Sequence, residues 1–118
     1  MTRHDPWVRV RHMRDHAQEA IGLLGENTLD ELKSDRTVQL ALVQLIEIVG
    51  EAASRVDSEI CSVHPNIPWQ LAAGMRHRLI HGYDLIEYTI VYDTVKDDLP
   101  PLVAQLDAIL PPIEAEGE

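Results

Sequence analysis

A chain of 118 residues, 45% hydrophobic, 25% charged and with a net charge of −10, fits one soluble domain that hides roughly two thirds of its unfolded surface. The acidity excludes tight, indiscriminate binding to nucleic acid, which draws most of its affinity from phosphate neutralisation. With no Phe, the core must come from Leu, Ile, Val and Ala, as in helical bundles; the single cysteine, Cys61, excludes an internal disulfide and suits a reducing cytoplasm.

The first residues, MTRHDPWVRVRHM, carry charge where a signal peptide needs an apolar core, so no export signal is expected. Asp5-Pro6 starts a helix, with a carboxylate for orphan amides and a proline already at helical φ. Trp7, Val10, Met13, Ala17, Ile21 and Leu24 then trace one apolar stripe to about Gly25. Arg9, Arg11, His12 and Arg14 crowd the same helix. They read first as a solvated face, and otherwise as a guide for RNA or a contact for an acidic partner.

Thr28 to Leu32 can cap and form a short helical turn, and Asp35 is a second N-cap before a long central helix. Its buried face is predicted at Val38, Ala41, Leu42, Leu45, Ile48, Val49, Ala52 and Val56. The run LALVQLIEIVG is interrupted by Gln44 and Glu47, so no membrane span is expected. His64-Pro65-Asn66-Ile67-Pro68 breaks regular structure. Pro68 opens a third helix through Trp69, Leu71, Ala72, Met75 and Leu79, predicted to end near His81-Gly82. A last helix is predicted from Leu85, kinked or divided at Pro100-Pro101, with a frayed acidic tail over 111–118. No alternating pattern suggests a sheet. The expected architecture is all-α, a single domain over 1–118 forming an antiparallel four- to five-helix bundle.

Within the third helix, GMRHRLIHGYD (Gly74–Asp84) concentrates Arg76, His77, Arg78, His81 and Tyr83. Histidine moves protons near neutral pH, and arginine presents a permanent fork matched to phosphate oxygens. Together they suit cleavage of RNA without metal: a base takes the 2′-hydroxyl proton, the freed oxygen attacks phosphorus, and a cation stabilises the phosphoryl oxygens. Arg76 and His81 are about 140° apart on an ideal helix, so a distorted last turn or a two-fold axis must bring them together. His77 and His81 share the i, i+4 spacing of helical zinc sites, but no HExxH pattern or third carboxylate ligand accompanies them. No metal or other cofactor is expected.

Arg76-x4-His81-x-Tyr83 resembles the RX4HXY signature of HepT-like proteins (DUF86), members of the HEPN superfamily. Three further stretches are similar to that family in the same order: Ile46–Ala53 (IEIVGEAA), Pro65–Trp69 (PNIPW), and Val91–Val95 with Asp98–Leu102. The resemblance covers essentially the full chain. It implies a HEPN-like bundle and a homodimeric, metal-independent RNase toxin, paired with an MntA-like minimal nucleotidyltransferase antitoxin that transfers AMP to the motif tyrosine. Carried over, Arg76 would hold the phosphate, His81 would be the acid/base and Tyr83 the modified residue. His77 occupies a slot that is usually asparagine in the family.

Glu47 and Glu51, four apart on the long helix, either orient Arg76 or His81 or form structural pairs with neighbours such as Arg55. Arg78 is a further supporting candidate. Trp7 and Trp69 read as core or interface anchors, and Cys61 as inert. A second function fits the acidity: a non-catalytic helical partner that presents nucleotide or substrate to a separately encoded nucleotidyltransferase.

Overall fold

A computed structural model describes residues 5–81 and 85–112, with the backbone alone described for His81. Among the described residues the fold is all-α apart from one two-residue ladder. Helix α1 (Val8–Leu24) starts later than Asp5-Pro6 predicts: those residues form a turn in which Asp5 Oδ1 accepts from the amide of Trp7 at 2.9 Å, and the N-cap, Trp7, has no side-chain cap. It buries Val10, Met13, Ala17, Ala20 and Leu24, with Ile21 half-buried beside them. Gly25 ends it at φ +50°, a conformation that only glycine adopts cheaply.

Thr28 and Glu31 form a reciprocal capping box on α2 (Leu29–Lys33), each side chain bonding the other's backbone amide. Asp35 caps α3 (Arg36–Ser54) through the Val38 amide at 3.1 Å. Between them lies the buried Gln39, whose Nε2 donates to the carbonyls of Leu32 (2.8 Å) and Lys33 (2.9 Å). One amide thus satisfies two carbonyls at the end of α2, and its burial costs little.

Helix α3 is the central rod, packed against α1, α2 and the later helices Trp69–Ala73, Met75–Leu79 and Tyr88–Asp93. Its buried face is wider than predicted, because Ile46, Gly50 and Ala53 join Leu42, Leu45, Val49 and Ala52, while Val38, Ala41, Ile48 and Val56 are half-buried. A rod with neighbours on several sides must be apolar over more than one stripe. Its length and composition alone would also suit a membrane crossing, yet these apolar residues pack inside the bundle.

A short helix, α4 (Ser58–Val63), was not anticipated, since it buries only Ile60 and shows no period. The predicted interruption at His64–Pro68 follows, pinned where Trp69 Nε1 donates to the His64 carbonyl at 2.9 Å. Trp69 is a core anchor, 8% exposed.

The third predicted helix is corrected. It divides at Gly74 into α5 (Trp69–Ala73) and α6 (Met75–Leu79), and stops two residues before His81. Ile80–His81 (β1) is extended and pairs antiparallel with Leu85–Ile86 (β2), Ile80 opposite Ile86 and His81 opposite Leu85. The Glu87 amide takes the Leu79 carbonyl at 2.7 Å, an acceptor that a continuing helix would keep for its own next turn. Strand pairing with residues a few positions further on has overridden local helix preference.

The last predicted helix therefore begins at Tyr88, not Leu85. Helix α7 (Tyr88–Asp93) runs through a π-helical turn, Thr94–Asp98, into α8 (Leu99–Ile109). The division falls one turn ahead of the prolines, which sit in the first turn of α8. Pro100 and Pro101 lack the N–H groups that would bond the carbonyls four residues back, and the Leu99 amide reaches back five, to Thr94.

Candidate active site

Gly50 lets α5 lie close on α3: a Cβ at that position would sit 3.2 Å from the Ala73 carbonyl oxygen and 3.3 Å from that of Ala72. The bend at Gly74 then turns α6 so that Arg76 comes over the outer face of α3. There Arg76 Nε donates to Glu47 Oε2 at 2.6 Å. The pair is at the rim, with the arginine side chain 50% exposed and the glutamate 33%. The guanidinium is held at one edge, and its outer nitrogens remain available to a ligand.

The pair forms one wall of an open cleft of about 390 Å³, bounded by Gln44, Glu47, Ile48 and Glu51 of α3 and by Arg9 and His12 of α1. Glu51 also pairs with Arg55 at 2.6 Å, and both side chains are more than half exposed. Each of the two anticipated roles for the carboxylates is thus taken by one of them: Glu47 meets the motif arginine and Glu51 makes a structural pair.

The other motif residues diverge. Arg78 turns to Asp98, the last residue of the π-helical turn, at 3.6 Å. His77 is exposed and outside the cleft lining, and makes no side-chain hydrogen bond among the described residues. His81 lies in β1, so the i, i+4 helical spacing with His77 does not exist. The His81 side chain and Tyr83 lie outside the described residues. Among the described residues, no group of three or more His, Cys, Asp or Glu side chains could hold a metal ion.

The cationic group that the sequence predicts on α1, Arg9, Arg11, His12 and Arg14, is divided in the structure. Arg11 pairs with Asp5, and Arg14 pairs with Asp107 of α8 at 2.7 Å and Asp15 at 3.4 Å. Its bond to Asp107 and the attraction behind it hold the Arg14 guanidinium above its usual range. The signal for the division was the three-residue spacing of Arg9 and His12, which puts them on one face, but the helix opposite could not be read. Away from the cleft, burial pushes the Cys61 thiol up, which fits the inert reading.

The profile of the family described as "Ribonuclease HepT-like" matches residues 13–109. This chain belongs to the HepT-like family. It is 34% identical over 95 residues to the "Probable ribonuclease HepT" of Thermococcus cleftensis, covering 77% of this chain and 86% of that one. A "Putative RNase" of Caldanaerobacter subterraneus subsp. tengcongensis is 34% identical over 105 residues, 89% and 94% of the two chains. Another, of Methanocaldococcus jannaschii, is 30% identical over 104 residues, 88% and 86%. No solved structure matches the chain. The span matched to the HepT-like family contains Glu47, Arg76, His81 and Tyr83, and begins after Arg9 and His12.

Proposed function

We propose that this chain is an endoribonuclease toxin that cuts RNA by attack of the 2′-oxygen on the adjacent phosphorus. The observation that carries the reading is Arg76, held by Glu47 on the rim of an open cleft, in a chain with the Arg76-x4-His81-x-Tyr83 motif. His81 takes the 2′-hydroxyl proton, Arg76 stabilises the charge gathering on the phosphoryl oxygens, and a proton returned to the departing 5′-oxygen leaves a 2′,3′-cyclic phosphate. No step requires a metal.

In this reading the active species is a homodimer in the cytoplasm, and a second copy brings a second cleft into reach of the same RNA. An MntA-like nucleotidyltransferase silences it by transferring AMP to Tyr83. The added phosphate brings negative charge and bulk two residues from His81, where a substrate phosphate must sit.

Purified protein should cut RNA in the presence of a chelator, and His81→Ala should lose cutting while keeping its helical content. An equal rate in His81→Ala would sink the chemistry. Co-expression with the transferase should add AMP mass to Tyr83, and expression alone should be toxic. A second reading, a non-catalytic partner of that transferase, draws on the same ion pair, since Glu47 already neutralises Arg76; it predicts tight association with the transferase and no RNA cleavage by either form.

A further inference from the structure

Three arginines of α1 meet different fates. Arg11 and Arg14 are committed to aspartates. Arg9 makes no hydrogen bond or ion pair among the described residues, in a chain with 20 acidic residues and 10 Lys or Arg. It lines the same cleft as Arg76, and His12, one turn further along α1, lines it too. The two carboxylates there are engaged, Glu47 with Arg76 and Glu51 with Arg55. The charge left uncompensated in the cleft is therefore positive, and it sits on α1.

We propose that Arg9 and His12 form a second phosphate subsite, which holds an RNA phosphodiester flanking the one at Arg76. The inference rests on the ribonuclease reading and adds where the strand lies: across the mouth of the cleft, from α6 to α1. Arg9 supplies a two-pronged donor, and His12 supplies a ring N–H in either protonation state. The cleft is an open trough of nucleotide size in which six of the eight lining residues carry polar or charged side chains on an otherwise apolar floor, which suits a backbone that offers a phosphate at every residue. It also explains how an acidic chain holds RNA, through a local patch and not through net charge.

The experiment measures both cleavage of a short single-stranded RNA and binding of its fully 2′-O-methylated analogue, which cannot be cut. Arg9→Ala should weaken binding and raise KM about five- to tenfold with kcat within twofold. The dependence of log affinity on log salt should flatten by about 0.7 for the lost phosphate contact. Arg9→Lys should recover most of the affinity, and Arg11→Ala, whose charge is spent on Asp5, should match the parent. His12→Ala should weaken binding less than Arg9→Ala. Unchanged affinity and salt slope in Arg9→Ala, with a parent that binds and cuts, overturns the subsite alone; so does a loss confined to kcat. A parent that neither binds nor cuts RNA overturns the ribonuclease reading, and the subsite with it.

Discussion

Glu47→Ala separates what the Glu47–Arg76 pair does for the fold from what it does for the reaction. The pair is half-exposed, so its removal should cost the fold only about 0.2–1 kcal/mol, or roughly 1–5 °C in Tm for a domain of this size. The reaction loses more. Without its 2.6 Å tether, the Arg76 side chain regains up to about 2 kcal/mol of rotamer entropy that must be lost again in the transition state. At 1.36 kcal/mol per tenfold, that is a fall in kcat of up to about 30-fold. RNA affinity should hold or rise, because a carboxylate has left the cleft. Glu47→Gln keeps an uncharged acceptor at the same place, and charge-assisted bonds are about twice as strong as neutral ones, so its kcat should fall by only about threefold to sixfold. Single-turnover cleavage of a fluorescent RNA, beside thermal denaturation of the same samples, reads both effects. Full activity in Glu47→Ala with Tm within the stated range would refute the positioning role.

Gly50→Ala should destabilise by about 1–3 kcal/mol despite alanine's better helix propensity, because the new methyl meets backbone carbonyls of α5 that cannot swing aside; the urea midpoint checks this. Gln39→Leu should cost a similar amount by leaving the Lys33 carbonyl without its donor and the Leu32 carbonyl with backbone amides alone, and a variant as stable as the parent would show that water replaces it. Alkylation of Cys61 at pH 8 should be slower than that of a free thiol and should accelerate in denaturant. The raised pKa leaves less thiolate in the folded chain at any pH below it, and unfolding restores the usual fraction.

The features legible in the sequence were those set within a few residues of themselves. Thr28 and Asp35 cap because the acceptor and its amide are three positions apart, and the stripe of α1 needs only a period. The misses depend on distant partners. Nothing local in Leu79–His81 announces that the Glu87 amide will claim the Leu79 carbonyl, and Gly74 was read as one residue within a helix and not as its break. Pro100 and Pro101 marked the right region, but the strain is taken up ahead of them in a wider turn. At the candidate site, Arg76 is one of several partners the sequence offers Glu47, and nothing local to either residue chooses it across 29 positions. Arg9 could not be told from Arg11, since only the tertiary arrangement gives one an aspartate and the other a cleft.

One rod, α3, supplies both the carboxylate that tethers Arg76 and, three residues on, the glycine against which α5 lies. Lengthening that helix by a single residue between Glu47 and Gly50 would turn one half about 100° against the other, swinging the tether out of reach or driving a side chain into α5. Loops at either end can absorb insertions without this penalty. Homologues of this chain should therefore carry their length differences in loops and none across those four positions, whose spacing is held by two separate requirements at once.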